Sequence, residues 1–230
     1  MNREIITFDP RAFLPSVRAA FKSANGFKDG NEKHQRMEEL GEQVLEDSMA
    51  NLQLRAVVSA FAPDVLQDDT ICIDDFSFHC PAFAQFDSRH IKRIYAFMLT
   101  VGEPKTTLEG ITAAVFADMW ATIFCDAMAE ALAEMFHAPV ILYPGFHGLE
   151  LSNVPQFAKL LDAQSIGIRV QEPGCIMLPV KSSCGFMFET LDALPLAESK
   201  CEDCIGNKHW CIMCKKNEAK MQNKKIRIIS

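Results

Sequence analysis

Residues 108–139 read LEGITAAVFADMWATIFCDAMAEALAEMFHAP, the longest helical pattern in the chain. Met119, Trp120, Ile123, Phe124, Ala127, Met128, Ala131, Leu132, Met135 and Phe136 recur at helical spacing and form one broad apolar face. Pro139 stands just past the pattern, where a helix stops. Asp126, Glu130 and Glu134 recur every four residues on another face. Like charges at that spacing are mildly unfavourable on an isolated helix. They mark either a solvated face or a row of carboxylates beside a polar ligand.

Strands flank this helix. Ile91 to Val101 is rich in β-branched and aromatic residues and reads as a buried strand ending at Gly102. Val140 to Tyr143 is short and apolar, and Pro144-Gly145-Phe146-His147-Gly148 then forces a loop. Thr70 to Phe78 alternates as one strand or two short ones. Ile166 to Val170 and Cys175 to Leu178 are strands either side of the Pro173-Gly174 turn, and Lys181 to Phe188 is a further extended segment. Helices are expected at 10–23, at Glu32 to Ala62 before Pro63, and at Val154 to Leu161 with Ser152 or Asn153 as cap. The resulting organisation is a helical part over 1–62, an α/β (α+β) core over 63–198, a Cys-rich segment over 199–216 and a basic tail over 217–230.

Composition narrows the class. The chain has 230 residues, 49% of them hydrophobic and 23% charged, which suits a folded globular protein and not a disordered one. A net charge of -7 gives no overall attraction to nucleic acid. Residues 215–230 carry six Lys/Arg against one Glu, a local excess that reads as a solvated tail or a docking segment. The first residues hold no apolar core of signal-peptide length, and no unbroken apolar run reaches ~18 residues, so no membrane span is expected. A cytoplasmic protein is the expectation. In a reducing compartment nine cysteines are not a disulfide framework, and an odd number cannot pair fully within one chain.

Cys72, Cys80, Cys125, Cys175 and Cys184 are scattered among apolar residues and read as small core side chains. Cys201, Cys204, Cys211 and Cys214 form C-x2-C-x6-C-x2-C. Each two-residue spacer lets two thiolates reach one metal from a tight turn, and two such pairs complete a tetrahedral shell. Zinc and an iron–sulfur cluster both fit four thiolates.

Several segments together resemble one family. Asp126-Ala-Met-Ala-Glu130-Ala-Leu-Ala-Glu134-Met-Phe-His137, then Pro144-Gly145-Phe146, then Ile166-Gly167-Ile168, Met177-Leu178-Pro179 and Lys181-Ser182-Ser183-Cys184-Gly185 follow in the order and spacing of the activation (reactivation) domain of cobalamin-dependent methionine synthase. Leu99-Thr100-Val101-Gly102 is similar to a segment upstream in that family, and stand-alone homologues carry a Cys-rich tail. The resemblance covers roughly residues 90–215. It implies a curved fold, a twisted antiparallel sheet with helices around it. It also implies activation of a corrinoid methyltransferase by S-adenosylmethionine-dependent reductive methylation of cob(II)alamin, with the cobalamin carried by a partner and an electron donor required. The ligand residues it points to are Glu130, Tyr143, Pro144, Gly145, Phe146, His147 and Lys181.

The chain departs from the family at the ligand loop. Where the family has an arginine this chain has Ile141, Phe146 lacks the hydroxyl of the family's tyrosine, and Tyr143 replaces a small residue. Isoleucine cannot clamp a carboxylate as arginine does; Lys181 is the candidate substitute, as a point charge and not a fork. A second reading is therefore a non-catalytic metal- or Fe–S-binding accessory protein that docks or reduces a corrinoid protein without binding S-adenosylmethionine.

Overall fold

The computed structural model describes residues 2–146, 148–171 and 173–191. Its centre is a five-stranded antiparallel sheet. The strands are β1 (Arg3–Thr7), β2 (Arg55–Phe61), β6 (Ile91–Thr100), β7 (Val140–Leu142) and β10 (Ser182–Thr190), in the spatial order β1-β2-β6-β10-β7. Strand β6 pairs with β2 on one edge, from Arg55↔Thr100 to Phe61↔Ile94, and with β10 on the other, from Ser182↔Thr100 to Thr190↔Ile91. Mixed α/β architecture with antiparallel sheets agrees with the sequence reading.

Successive side chains of a strand point to opposite faces, and here both faces are covered. Tyr95, Phe97 and Leu99 face one layer and Ile94, Ala96 and Met98 the other, all of them buried. The first layer is helical: α1 (Leu14–Asn25), α2 (Glu32–Ser48) and α3 (Ile111–Met135). The second holds α4 (Val154–Leu161), the three-stranded β3 (Leu66–Gln67), β4 (Thr70–Ile73) and β5 (Phe76–His79), and the hairpin β8 (Arg169–Gln171) and β9 (Ile176–Leu178). Full burial of one such Phe, Leu or Ile contributes ~1.5–3 kcal/mol. Near one end of β10, the almost buried Glu189 keeps its charge because Lys92 Nζ lies 2.6 Å away and the Tyr95 hydroxyl donates at 3.0 Å. The Lys92 contact is the main reason its carboxyl lies below the usual range.

Residues 1–62 are not helical throughout. The helix expected over 32–62 ends at Ser48, a 3-10 turn follows at Met49–Asn51, and β2 occupies 55–61. Leu52, Leu54, Ala56 and Val58, two residues apart, face the helical layer, while Val57 faces the other. A strand buried on both faces is apolar at nearly every position, so periodicity alone does not tell it from a buried helix. The first helix is preceded by a 3-10 turn at Pro10–Phe13, and β1 precedes that. Asn153 stands just before helix α4, but its side chain does not cap it; its Nδ2 donates to the Glu150 carbonyl at 3.1 Å instead.

Helix α3 is the one element of the described residues that bears on the membrane expectation. By length and mean hydropathy (1.4 over its most apolar window) it is long and apolar enough to cross a bilayer. In the fold Phe116, Trp120, Phe124, Met128 and Leu132 are buried in the helical-layer core. Trp120 fixes the three-helix junction. Its indole stacks on Phe21 of α1 (centroids 3.9 Å apart, planes 11° apart) and its Nε1–H donates to the Gly41 carbonyl of α2 at 2.9 Å.

A Cβ on Gly41 would lie 2.5 Å from Cε1 of the pinned Phe21 ring. Alanine gains ~1 kcal/mol over glycine in a helix, but overpacking costs ~1–3 kcal/mol. Gly41→Ala should therefore lower the unfolding free energy by ~1 kcal/mol in urea titrations. A stabilised variant would mean that α1 moves away freely.

Candidate functional site

Strand β7 is the edge strand beside β10, with Leu142 opposite Phe186, Ile141 opposite Met187 and Val140 opposite Phe188. The approach is close at one point. A Cβ on Gly185 would overlap the Leu142 carbonyl, so only glycine lets β7 lie where it does. The glycine of Lys181-Ser182-Ser183-Cys184-Gly185 thus sets the position from which the Pro144-Gly145-Phe146 loop departs.

That loop is internally braced. Gly145 N–H donates to the Leu149 carbonyl (2.6 Å), Phe146 N–H to that of Tyr143 (3.1 Å) and Leu149 N–H to that of Phe146 (3.0 Å). Gly145 has φ +91°, in the region that favours glycine. The Tyr143 ring lies on the helical side of the sheet, edge-on to Phe97 (6.0 Å) and to Phe146 (6.5 Å). Phe146 is 52% exposed and Leu151 59%, so the loop presents apolar surface outward. His147 lies outside the described residues.

The C-terminal half of α3 runs past this loop. Asp126, Glu130 and Glu134 are all exposed, as a solvated face requires. Two of them also reach Tyr143: burial first, then the negative charge of Asp126 and, more weakly, of Glu130, hold its phenol protonated well above the usual range. Burial, reinforced by Asp126, pushes the Cys125 thiol up to about 12. That thiol remains neutral and is not a nucleophile at ordinary pH.

Lys181 is placed differently. Its ammonium, 20% exposed, is 2.9 Å from Asp118 Oδ2 and 2.9 Å from Thr122 Oγ1, both on α3. Thr122 precedes Glu130 by eight residues, ~12 Å along a helix. The structure thus brings Glu130, Tyr143 and Phe146 to one corner, with Pro144 and Gly145 forming its turn, and sets Lys181 farther along the same helix. Cys125 stands between, within the field of both Asp126 and Lys181. Asp118 and Thr122 were missed by sequence reasoning. Their only sequence signal is that they sit on one face of α3, and the partner that gives them meaning is 63 residues away in the chain.

Ile141 is half-buried against the helical-layer core, so the position where the family has an arginine is occupied by a packed aliphatic chain. Two other resembling segments lie side by side. The Ser182 hydroxyl is 2.9 Å from that of Thr100, and Val101 N–H donates to the Lys181 carbonyl at 3.1 Å. A cleft of about 300 Å³ lined by Ala50, Asn51, Gln53, Gly102, Glu103, Lys105 and Pro179 holds none of the expected ligand residues. Cys201, Cys204, Cys211 and Cys214 lie outside the described residues. Among the described residues no group of three or more His, Cys, Asp or Glu is arranged to hold a metal ion.

No protein-family profile matches the chain, and no curated protein matches it. Among solved structures, the crystal structure of the MetH reactivation domain bound to AdoHcy is similar, with a TM-score of 0.53 and 15% identity. The match covers 86% of this chain and 81% of that one. At that identity the likeness is one of fold, and function must be argued from the site.

Gly185→Ala drives a methyl into the Leu142 carbonyl and should lower stability by ~3 kcal/mol, the upper end for overpacking. Exchange of the Tyr143 and Phe146 amides should rise with it. An unperturbed urea midpoint would mean that β7 shifts without cost.

Proposed function

We propose that this chain binds S-adenosylmethionine at the corner formed by the C-terminal half of α3 and the Tyr143–Phe146 loop. In this reading it activates a corrinoid-dependent methyltransferase such as methionine synthase. The observation that carries the reading is the fold shared with a reactivation domain that holds AdoHcy, over most of both chains. The order of motifs along this sequence supports it. Bound there, S-adenosylmethionine would be held by Glu130, Tyr143 and Phe146 and would supply a sulfonium methyl group to the partner's corrinoid, with a separate donor supplying the electron.

The residues present fit the cationic and ring parts of that ligand. Glu130 and Asp126 surround the corner with negative charge, which favours a sulfonium. Tyr143 and the exposed Phe146 ring offer faces on which a purine stacks. The work of the chain is to hold the methyl in line with the partner's cobalt, since orientation supplies much of the rate in such transfers. For the ligand's carboxylate, Ile141 offers nothing. Lys181 serves only by exchanging Asp118 and Thr122 for it. A cytoplasmic location and a separate electron donor belong to this reading.

The lack of a free carboxylate anchor at Ile141 and Lys181 favours a second reading. With Ile141 packed inward and Lys181 already neutralised, an accessory protein that docks or reduces a corrinoid protein without binding S-adenosylmethionine is consistent with the geometry. Its reactive group would be zinc or an iron–sulfur cluster at Cys201, Cys204, Cys211 and Cys214.

Calorimetric titration of the full chain with S-adenosylmethionine decides between them. The first reading expects saturable binding, weakened on the order of tenfold by Glu130→Gln at unchanged melting temperature. No heat at millimolar ligand overturns it. For the metal, protein purified without oxygen should carry zinc or the visible bands of a cluster, and Cys204→Ser should reduce the bound metal. Stoichiometry unchanged by the substitution rules out these cysteines as ligands, and colourless protein with one equivalent of zinc rules out electron delivery.

A further inference from the structure

Between the end of β6 and the start of α3 the chain runs from residue 101 to residue 110 without regular structure. That is long for a connection inside a packed domain, where two to six residues are usual. Its two ends are fixed. Val101 N–H donates to the Lys181 carbonyl, Gln53 N–H donates to the Val101 carbonyl at 3.0 Å, and Ala114 N–H closes the first turn of α3 on the Gly110 carbonyl. Just inside these ends stand Gly102 (φ +80°) and Gly110 (φ +107°). Both occupy backbone conformations that other residues rarely adopt, and the space around Gly110 is open.

The segment between the two glycines is fastened mainly at one place. The Asp47 carboxylate, near the end of α2, accepts from the Thr106 hydroxyl (2.8 Å), the Thr107 N–H (2.5 Å) and the Thr107 hydroxyl (2.7 Å). Those hydrogen bonds, Thr107's foremost, hold the Asp47 carboxyl below the usual range, so the acceptor is charged at neutral pH. A second hydrogen bond to the body is long, Asn51 Nδ2 to the Lys105 carbonyl at 3.4 Å. The Glu103–Lys105 ion pair, 2.9 Å, lies within the segment, and beyond it Glu103 feels only the more distant charge of Arg169 among the described residues. Leu108 adds a half-buried contact with the helical-layer core. On its inner side Gly102, Glu103 and Lys105 wall the 300 Å³ cleft, opposite Ala50, Asn51 and Gln53.

We propose that residues 103–109 form a glycine-hinged strap, latched to α2 by Asp47, whose release opens this cleft without unfolding the sheet or α3. Segments with few buried contacts and a small number of fastenings open as local units. A charged acceptor shared by three donors is a strong single fastening, and one substitution removes all of it.

Amide hydrogen exchange on the full chain, read by mass spectrometry or NMR, tests the strap. In Asp47→Ala the amides of Glu103 and of residues 105–108, Thr107 above all, should exchange on the order of tenfold faster, with β6 and α3 unchanged. Alanine is a good helix former, so α2 should persist. A Thr106→Val, Thr107→Val pair leaves α2 untouched and should give a smaller rise in the same amides. Unchanged exchange across 103–108 in both variants overturns the proposal. So does a rise spread equally through β6 and α3, because the segment would then not open by itself.

Discussion

Strand β6 is hydrogen-bonded along both edges and covered on both faces, and the other elements are arranged around that condition. A strand in this position needs an apolar side chain on each face at nearly every residue. Ile94 through Leu99 meet that need without interruption. The helical layer then needs three helices to cover Tyr95, Phe97 and Leu99, and Trp120 is the residue at which those helices meet. On the far face α4 and two small sheets cover Ile94, Ala96 and Met98. The candidate site lies where this covering ends, at the short edge strand β7 and the loop after it.

Two glycines without side chains to pack matter to that site as much as the charged groups do. Gly185 admits the Leu142 carbonyl, and Gly145 turns the chain so that Phe146 faces outward while Tyr143 stays against Phe97. Glu130 and Asp126 contribute charge from a rigid helix. Lys181 is the opposite case. Its ammonium ties the start of β10 to α3, and any role toward a ligand competes with that tie.

Much of the fold was legible in the sequence. The pattern of α3 and the β-branched run of β6 gave both elements to within a few residues, because each is long and strongly patterned. Strand β2 was not legible: Ala56 to Ser59 is buried without a break, and the alternation of Leu52, Leu54, Ala56 and Val58 is short and follows directly on a helical pattern. Strand β1 was missed because Arg3 to Thr7 is a short, mostly exposed edge whose pairing with Ser59 through Arg55 depends on a partner fifty residues on. At the site, the Pro144-Gly145-Phe146 turn was legible from local pattern, whereas Glu130 as a ligand residue came only from the family resemblance. The neutralisation of Lys181 by Asp118 was not, since it depends on the packing of β10 against α3. The four clustered cysteines remain a reading of spacing alone.

The β6–β10 ladder imposes an order of events on a chain made from its N-terminus. Ile91 finds its partner only when Thr190 has been synthesised, so one edge of the most apolar strand stays open while α3, β7, α4 and the β8–β9 hairpin emerge. During that interval β2 can zip onto β6, and the helical layer can cover one face, but the other edge offers unpaired backbone groups. Pairings between residues so far apart in sequence are slow to close. An exposed apolar edge is the kind of surface on which nascent chains associate wrongly. The vulnerable state of this protein is therefore a half-built sheet on the ribosome, protected on one side and waiting for its fourth strand.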